Sequence, residues 1–180
     1  MKKEIFQQIE IPEGVDVKIE GRSFIVKGKD GDARREFDIK NLEIKKTENK
    51  IIIGNKKATK KEKKMIKTIS AHLKNLIKGV QKNFEYTLKV CFSHFPITVE
   101  IKGKDVLIKN FLGEKIPRKT KIPEGVKIKI NKDIISITSP DKEIAGQAAA
   151  NFETATKIRK RDRRVFQDGI FIINKAGREI

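Results

Sequence analysis

Val15-Asp16-Val17-Lys18-Ile19-Glu20-Gly21 and Ile97-Thr98-Val99-Glu100-Ile101-Lys102-Gly103 carry the same pattern at an offset of about 82 residues. In each, aliphatic residues alternate with polar ones and the run stops on a glycine. Period-two alternation marks a strand with one buried face, and a glycine directly after it marks a hairpin turn. Phe24-Ile25-Val26 returns the first hairpin; Val106 and Ile108 return the second.

Working outward, the two halves continue in parallel. In the first, a turn at Gly28-Lys29-Asp30-Gly31-Asp32 leads to a short strand from about Arg34 to Ile39. A hairpin follows from Leu42–Lys46 to Lys50–Ile53, joined across Thr47-Glu48-Asn49. In the second, a connector from Asn110 to Lys121 stands in for the short strand. Val126, Ile128 and Ile130 then pair with Ile134, Ile135 and Ile137 across Asn131-Lys132-Asp133.

Each half closes on a helix. Thr59-Lys60-Lys61-Glu62 is a capping box, in which hydroxyl and carboxylate satisfy orphan backbone donors. Ile66, Ile69, Leu73, Leu76, Ile77 and Val80 form its apolar stripe, with Gly79 as a stop signal. Ser139-Pro140-Asp141 opens the second helix with a hydroxyl cap, a proline at the first helical position and an early acid. Its expected stripe is Ile144, Ala148, Phe152 and Ala155, with Ile158 near the end. Met1 to Pro12 is expected to lead in, and Ile170 to Ile173 to form a last short strand.

The pattern predicts an α+β fold of two tandem repeated domains, 1–82 and 83–180. Each is a small, mostly antiparallel sheet packed against one helix. Ile11-Pro12-Glu13-Gly14-Val15 and Ile122-Pro123-Glu124-Gly125-Val126 recur at a different offset. They are a strand-entry turn used twice, not the repeat itself.

Charge narrows the function. The 180 residues hold 42 Lys and Arg against 24 Asp and Glu, a formal net charge of +18. That excess implies an anionic partner, such as nucleic acid or an acidic membrane surface. Apolar content is ordinary for a folded chain. With no Trp, one Tyr and ten Phe, stacking platforms for single strands are scarce, which favours phosphate and shape contact with folded RNA. One cysteine, Cys91, excludes an internal disulfide and suggests a reducing compartment. No apolar run is long enough to span a bilayer, and no signal-peptide pattern opens the sequence. A cytoplasmic protein is expected.

Catalytic, cofactor-binding and metal-ligating residues are not expected. Cys91-Phe92-Ser93-His94 lacks the further ligands of a zinc site, and Cys91, ending the apolar run Tyr86 to Phe92, is expected to be a buried thiol. His72, in the first helix, is assigned a polar or interface role. Gly28 to Gly31 lacks the Gly-Lys-Ser/Thr end of a phosphate-binding loop, and Glu10, Glu13 and Asp16 are scattered over solvent-facing positions. The chain is not expected to be an enzyme or to take a small-molecule substrate.

Two regions concentrate cations. Around the first helix lie Lys56, Lys57, Lys60, Lys61, Lys63, Lys64, Lys67, Lys74, Lys78 and Lys82, against Glu62, suited to diffuse attraction. From Lys157 to Gly169 the sequence is Lys-Ile-Arg-Lys-Arg-Asp-Arg-Arg-Val-Phe-Gln-Asp-Gly, with six cations in its first eight residues. If helical, it stacks Lys157, Arg161 and Arg164 on one face. A solvated helix end is the plain alternative. Arginine's planar fork binds phosphate bidentately, so Lys157, Arg159, Lys160, Arg161, Arg163, Arg164 and the later Lys175 are the first RNA-contacting set. Lys115, Arg118, Lys60 and Lys64 are secondary candidates.

Several segments also resemble one family. They are Thr68-Ile69-Ser70-Ala71-His72-Leu73-Lys74-Asn75-Leu76-Ile77-Lys78-Gly79-Val80, Phe84-Glu85-Tyr86, His94-Phe95-Pro96, Asn110-Phe111-Leu112-Gly113-Glu114-Lys115 with Arg118, Gly146-Gln147-Ala148-Ala149-Ala150, Ala155-Thr156-Lys157, Arg161-Asp162 with Arg164, and Asp168-Gly169-Ile170. In order and spacing they resemble the large-subunit ribosomal protein L-six family, in its archaeal form, called L-nine in eukaryotes. The resemblance implies duplicated α+β domains and binding to large-subunit rRNA, mainly through the second domain, near the sarcin–ricin loop and the factor-binding region. It also implies neighbouring ribosomal proteins as partners. Asn83 stands where the family has glycine, and Phe171 where an aromatic hydroxyl is common. The alternatives are a free-standing RNA-binding or ribosome-assembly factor, and, further off, a peripheral membrane-surface protein.

Overall fold

The structure is a computed structural model that describes residues 3–47 and 49–180. The chain divides into two compact units, 1–83 and 84–180.

The first unit runs β1 (Lys3–Glu10), β2 (Asp16–Glu20), β3 (Ser23–Gly28), β4 (Gly31–Glu36), β5 (Glu43–Thr47), β6 (Lys50–Ala58) and α1 (Lys60–Gln81). Its strands form two antiparallel sheets, ordered β1-β6-β5 and β2-β3-β4. The second unit runs β7 (Phe84–Cys91), β8 (Thr98–Lys102), β9 (Asp105–Lys109), β10 (Arg118–Lys121), β11 (Lys127–Asn131), β12 (Ile134–Ser139), α2 (Lys142–Ala155), β13 (Gly169–Lys175) and β14 (Arg178–Glu179). Here β8-β9-β10 repeats β2-β3-β4, and β7-β12-β11 repeats β1-β6-β5. The repeat is therefore real element by element, with the sheet of each unit split in two. What the second unit adds is β13 and β14, laid on the edge of β7 whose counterpart on β1 pairs with no strand among the described residues.

Alternation produces the cores. Val17, Phe24, Val26, Ile51, Ile53, Ile66, Leu73 and Val80 are fully buried in the first unit. Leu88, Val106, Ile108, Ile135, Ile137, Ala145 and Ala149 are fully buried in the second. Each buried branched side chain contributes about 1.5–3 kcal/mol relative to exposure. α1 packs on β1, β3, β4 and β6, and all six residues of its expected stripe are buried. The Thr59–Glu62 capping box is formed.

The hairpin glycines adopt the backbone that their position demands. Gly21 and Gly103 have φ of +59° and +62°, and Gly14 and Gly125 +81° and +80°. The second pair occupies one turn geometry before β2 and before β11, different places in the repeat, as a reused strand-entry turn requires.

Several sequence expectations change. Met1 to Pro12 is not a mere lead-in, since β1 occupies most of it; Met1 and Lys2 lie outside the described residues. The connector Asn110 to Lys121 contains the missing third strand, β10, paired with β9. Glu48, in the expected β5–β6 turn, lies outside the described residues. Gly79 does not stop α1, which runs on to Gln81; Lys82 takes up an extended backbone and its N–H still reaches the Lys78 carbonyl at 2.9 Å. Asp141, not Ser139, caps α2: its carboxylate accepts from the Glu143 N–H at 2.8 Å. Ser139 instead accepts the Asp141 N–H at 3.2 Å. Of the expected α2 stripe, Ala148 and Phe152 are buried, joined by Ala145 and Ala149, while Ile144 and Ala155 are only half-buried. Cys91 is half-buried rather than buried. The His72 ring lies 5.9 Å from that of Phe37.

Candidate nucleic-acid interface

The helical condition for stacking Lys157, Arg161 and Arg164 is not met. α2 ends at Ala155, and residues 157–168 are a loop joining it to β13. The cause is Thr156. Its buried hydroxyl turns back to the Phe152 carbonyl at 3.1 Å and accepts the Ile170 N–H at 3.0 Å. One side chain thus closes the helix and ties it to the first turn of β13. Lys157, Arg161 and Arg164 do not stack on a helix face.

Arg118, from β10, completes the closure. Its Nη1 donates to the carbonyls of Ala155 at 2.9 Å and Lys157 at 3.2 Å. Its Nε and Nη2 meet Glu114 bidentately at 2.8 and 2.6 Å, and the guanidinium lies 4.2 Å from the Phe111 ring centroid. A cation on the last carbonyls of a helix also answers its dipole. The hydrogen bond from Arg118 holds the Glu114 carboxyl below its ordinary range, and the charge of Arg161 adds to this. Arg118, a secondary RNA candidate, is therefore engaged with protein acceptors.

The far end of the loop is pinned as firmly. Asp168, only 5% exposed, accepts from the Ser93 N–H at 3.2 Å and hydroxyl at 2.9 Å. Between the pins, Asp162 shapes a turn. Its carbonyl accepts the Phe166 N–H at 2.9 Å, and its carboxylate takes the Arg164 N–H at 2.9 Å and the Arg164 Nη2 at 2.9 Å. The side-chain bond from Arg164 and then the backbone bond hold the Asp162 carboxyl low. Arg161 lies 4.8 Å over the Phe166 ring.

Lys157, Arg159, Lys160, Arg161, Arg163 and Arg164 are all exposed on this loop. The fold brings these six together. It does not bring Lys175, which ends β13 about 20 Å of strand away from Gly169. Lys115 is exposed beside Ile116, and Lys60 and Lys64 are exposed on α1 in the other unit.

A groove of about 830 Å³ opens beside the loop, with Phe92, Lys157, Arg163, Phe166 and Phe171 in its wall. Sequence reasoning assigned no function to Phe92 or Ser93. The sequence carries no signal for them, because Phe92 closes the apolar run Tyr86 to Phe92 and reads as part of that run. Among the described residues no group of His, Cys, Asp and Glu could hold a metal ion, and no helix is long and apolar enough to cross a membrane.

A family model described as ribosomal protein L6 matches residues 11–83 and again 95–169. The chain belongs to the ribosomal protein L6 family. The double match follows the structural duplication, and its second part ends where the cationic loop meets β13. Among the relatives is a protein of Methanothrix thermoacetophila, 45% identical over 97% of this chain and 99% of its own. One of Methanobrevibacter smithii is 46% identical over 95% and 96%, and one of Methanococcus vannielii 42% over 97% and 96%. Each is named large ribosomal subunit protein uL6. Phe171 is exposed in the groove wall. Asn83 has its side-chain oxygen buried without a hydrogen-bond partner among the described residues.

Proposed function

We propose that the protein is a structural constituent of the large ribosomal subunit. It binds large-subunit rRNA through the loop Lys157 to Asp168, near the sarcin–ricin loop and the factor-binding region. It works by phosphate neutralisation and shape contact, without catalysis, in the cytoplasm, with neighbouring ribosomal proteins as further partners. Family membership supports the setting. The observation that carries the RNA contact is six exposed cations on a loop pinned at both ends. A loop held before binding loses little conformational entropy on contact, and Asp162 offsets only one of its charges.

Six phosphate contacts give a salt slope of about −4 to −5. Replacing Arg159, Arg161, Arg163 and Arg164 together by alanine should weaken binding to large-subunit rRNA and flatten the slope to about −1 to −2. The helix pins lie outside these four positions, so the fold should persist. Unchanged affinity at matched salt overturns the assignment. Co-migration with large subunits on a sucrose gradient separates this role from that of a free-standing factor.

A further inference from the structure

Phe171 and Phe92 keep 45% and 41% of their surfaces exposed, both in the wall of the groove beside the cationic loop. Exposed single rings are ordinary. Two that share one concavity with Phe166, Lys157 and Arg163 are a different matter. The register sets Gly169 opposite Cys91 and Phe171 opposite Lys89, so Phe171 and Gly169 share a face of β13. The Phe171 ring lies over that glycine: a Cβ on Gly169 would sit 3.0 Å from its Cζ. The missing side chain thus seats the ring at the mouth of the groove.

Exposed aromatic surface next to phosphate-binding cations matches a nucleotide whose base has left its stack. A continuous A-form duplex hides its base faces and offers nothing to these rings. A bulged or looped nucleotide offers both a π face for a phenyl ring and a phosphate for a cation. We infer that this groove binds one unstacked nucleobase of the RNA, stacked on Phe171 with Phe92 as the second wall and its phosphate on Lys157 and Arg163. The inference rests on the RNA-binding reading above and adds a preference within it. The six loop cations supply affinity for any folded RNA, and the groove selects RNA with an extruded base.

The test uses the full chain and three labelled RNA hairpins: fully paired, with one bulged nucleotide, and with an abasic residue in the bulge. The wild type should bind the bulged hairpin about tenfold or more tighter than the paired one, and the abasic hairpin no better than the paired one. Phe171→Leu keeps apolar bulk without the aromatic face. It should abolish the preference while leaving paired-hairpin affinity and salt slope unchanged; Phe92→Leu should reduce it. Equal wild-type binding of bulged and paired hairpins overturns this inference and leaves RNA binding standing. Failure to bind any hairpin overturns the RNA reading itself, and a preference that survives Phe171→Leu overturns the site. Because the chain has no Trp, Phe171→Trp supplies an independent reporter. Bulged RNA should quench its emission. A blue shift on phosphatidylglycerol vesicles without quenching by RNA assigns the rings to a membrane and overturns the inference.

Discussion

Arg118, read from the sequence as a secondary RNA contact, is engaged with protein acceptors, so its part in the proposed interface is to hold the loop. Its side chain is 26% exposed, and its fork is spread over Glu114 and the carbonyls of Ala155 and Lys157. A phosphate-contacting arginine, when removed, takes almost one unit of salt slope with it. Arg118→Ala should instead weaken rRNA binding at an unchanged slope, because the loop loses its anchor and keeps its six cations. Lysine cannot reproduce the fork, so Arg118→Lys should behave alike, and salt-dependent binding of both variants checks this. Thermal unfolding should show a loss of about 1–2 kcal/mol. The partner acid gives a pH signature. The Glu114 pKa is lowered in the folded chain from its ordinary 4.5, so the unfolded chain binds the proton more readily. The stabilisation is complete above about pH 4.5 and fades as pH falls through the folded value. Glu114→Gln should unfold at a lower temperature than the wild type near neutrality, with the gap closing in acid. None of this was legible in the sequence. Arg118 lies in a stretch with no periodic pattern, and its acceptors at Ala155 and Lys157 are 37 and 39 residues away.

Strands with a clear apolar alternation were found from sequence, and those without one were not. β10, Arg118-Lys119-Thr120-Lys121, holds no apolar residue. β9 and polar contacts to α2 hold it, including the Asn151 amide on the Lys121 carbonyl at 3.0 Å. β1 was missed for another reason: Gln7 stands between Ile5 and Ile9 on its inner side, while Phe6 turns to the other face. Phe6 pairs there with Gly54 of β6, which explains a glycine in the middle of a strand. A Cβ at Gly54 would meet the Phe6 ring and come 2.5 Å from the Ile5 carbonyl oxygen. That oxygen belongs to the β1–β6 ladder and cannot move alone. Gly54→Ala should therefore lower stability by about 2 kcal/mol or more, seen as a fall in the urea midpoint at an unchanged slope. The end of α2 shows the same limit. The Ala-rich pattern gives no sign that Thr156 will close the helix, since the second partner of its hydroxyl, the Ile170 N–H, lies beyond the loop.

Duplication gave the chain two scaffolds of one kind, and the unequal addition to the second separates their chemistry. β13 pairs with an edge of β7 whose equivalent on β1 pairs with no strand among the described residues, and the segment that delivers it is the cationic loop. The extension thus does two things at once: it completes a sheet and holds six cations at the surface. The densest basic run of the first unit is the lysines on and beside α1, without a comparable pinned loop among its described residues. Each unit has its own buried cluster. We infer that 1–82 and 83–180 are separately folding domains, and that affinity resides in the second. A fragment covering 83–180 should fold cooperatively and bind large-subunit rRNA with nearly the slope of the whole chain. The 1–82 fragment should fold and bind weakly, with a shallower slope and little preference among RNAs, as dispersed lysines do. Comparable affinity in both fragments would move the interface away from the loop. A second fragment that folds yet binds only when the first is present would make the first domain part of the site. Because the contrast is between arginine held in a fixed loop and lysine spread along a helix, the slopes should separate the fragments more sharply than affinities measured at a single salt concentration.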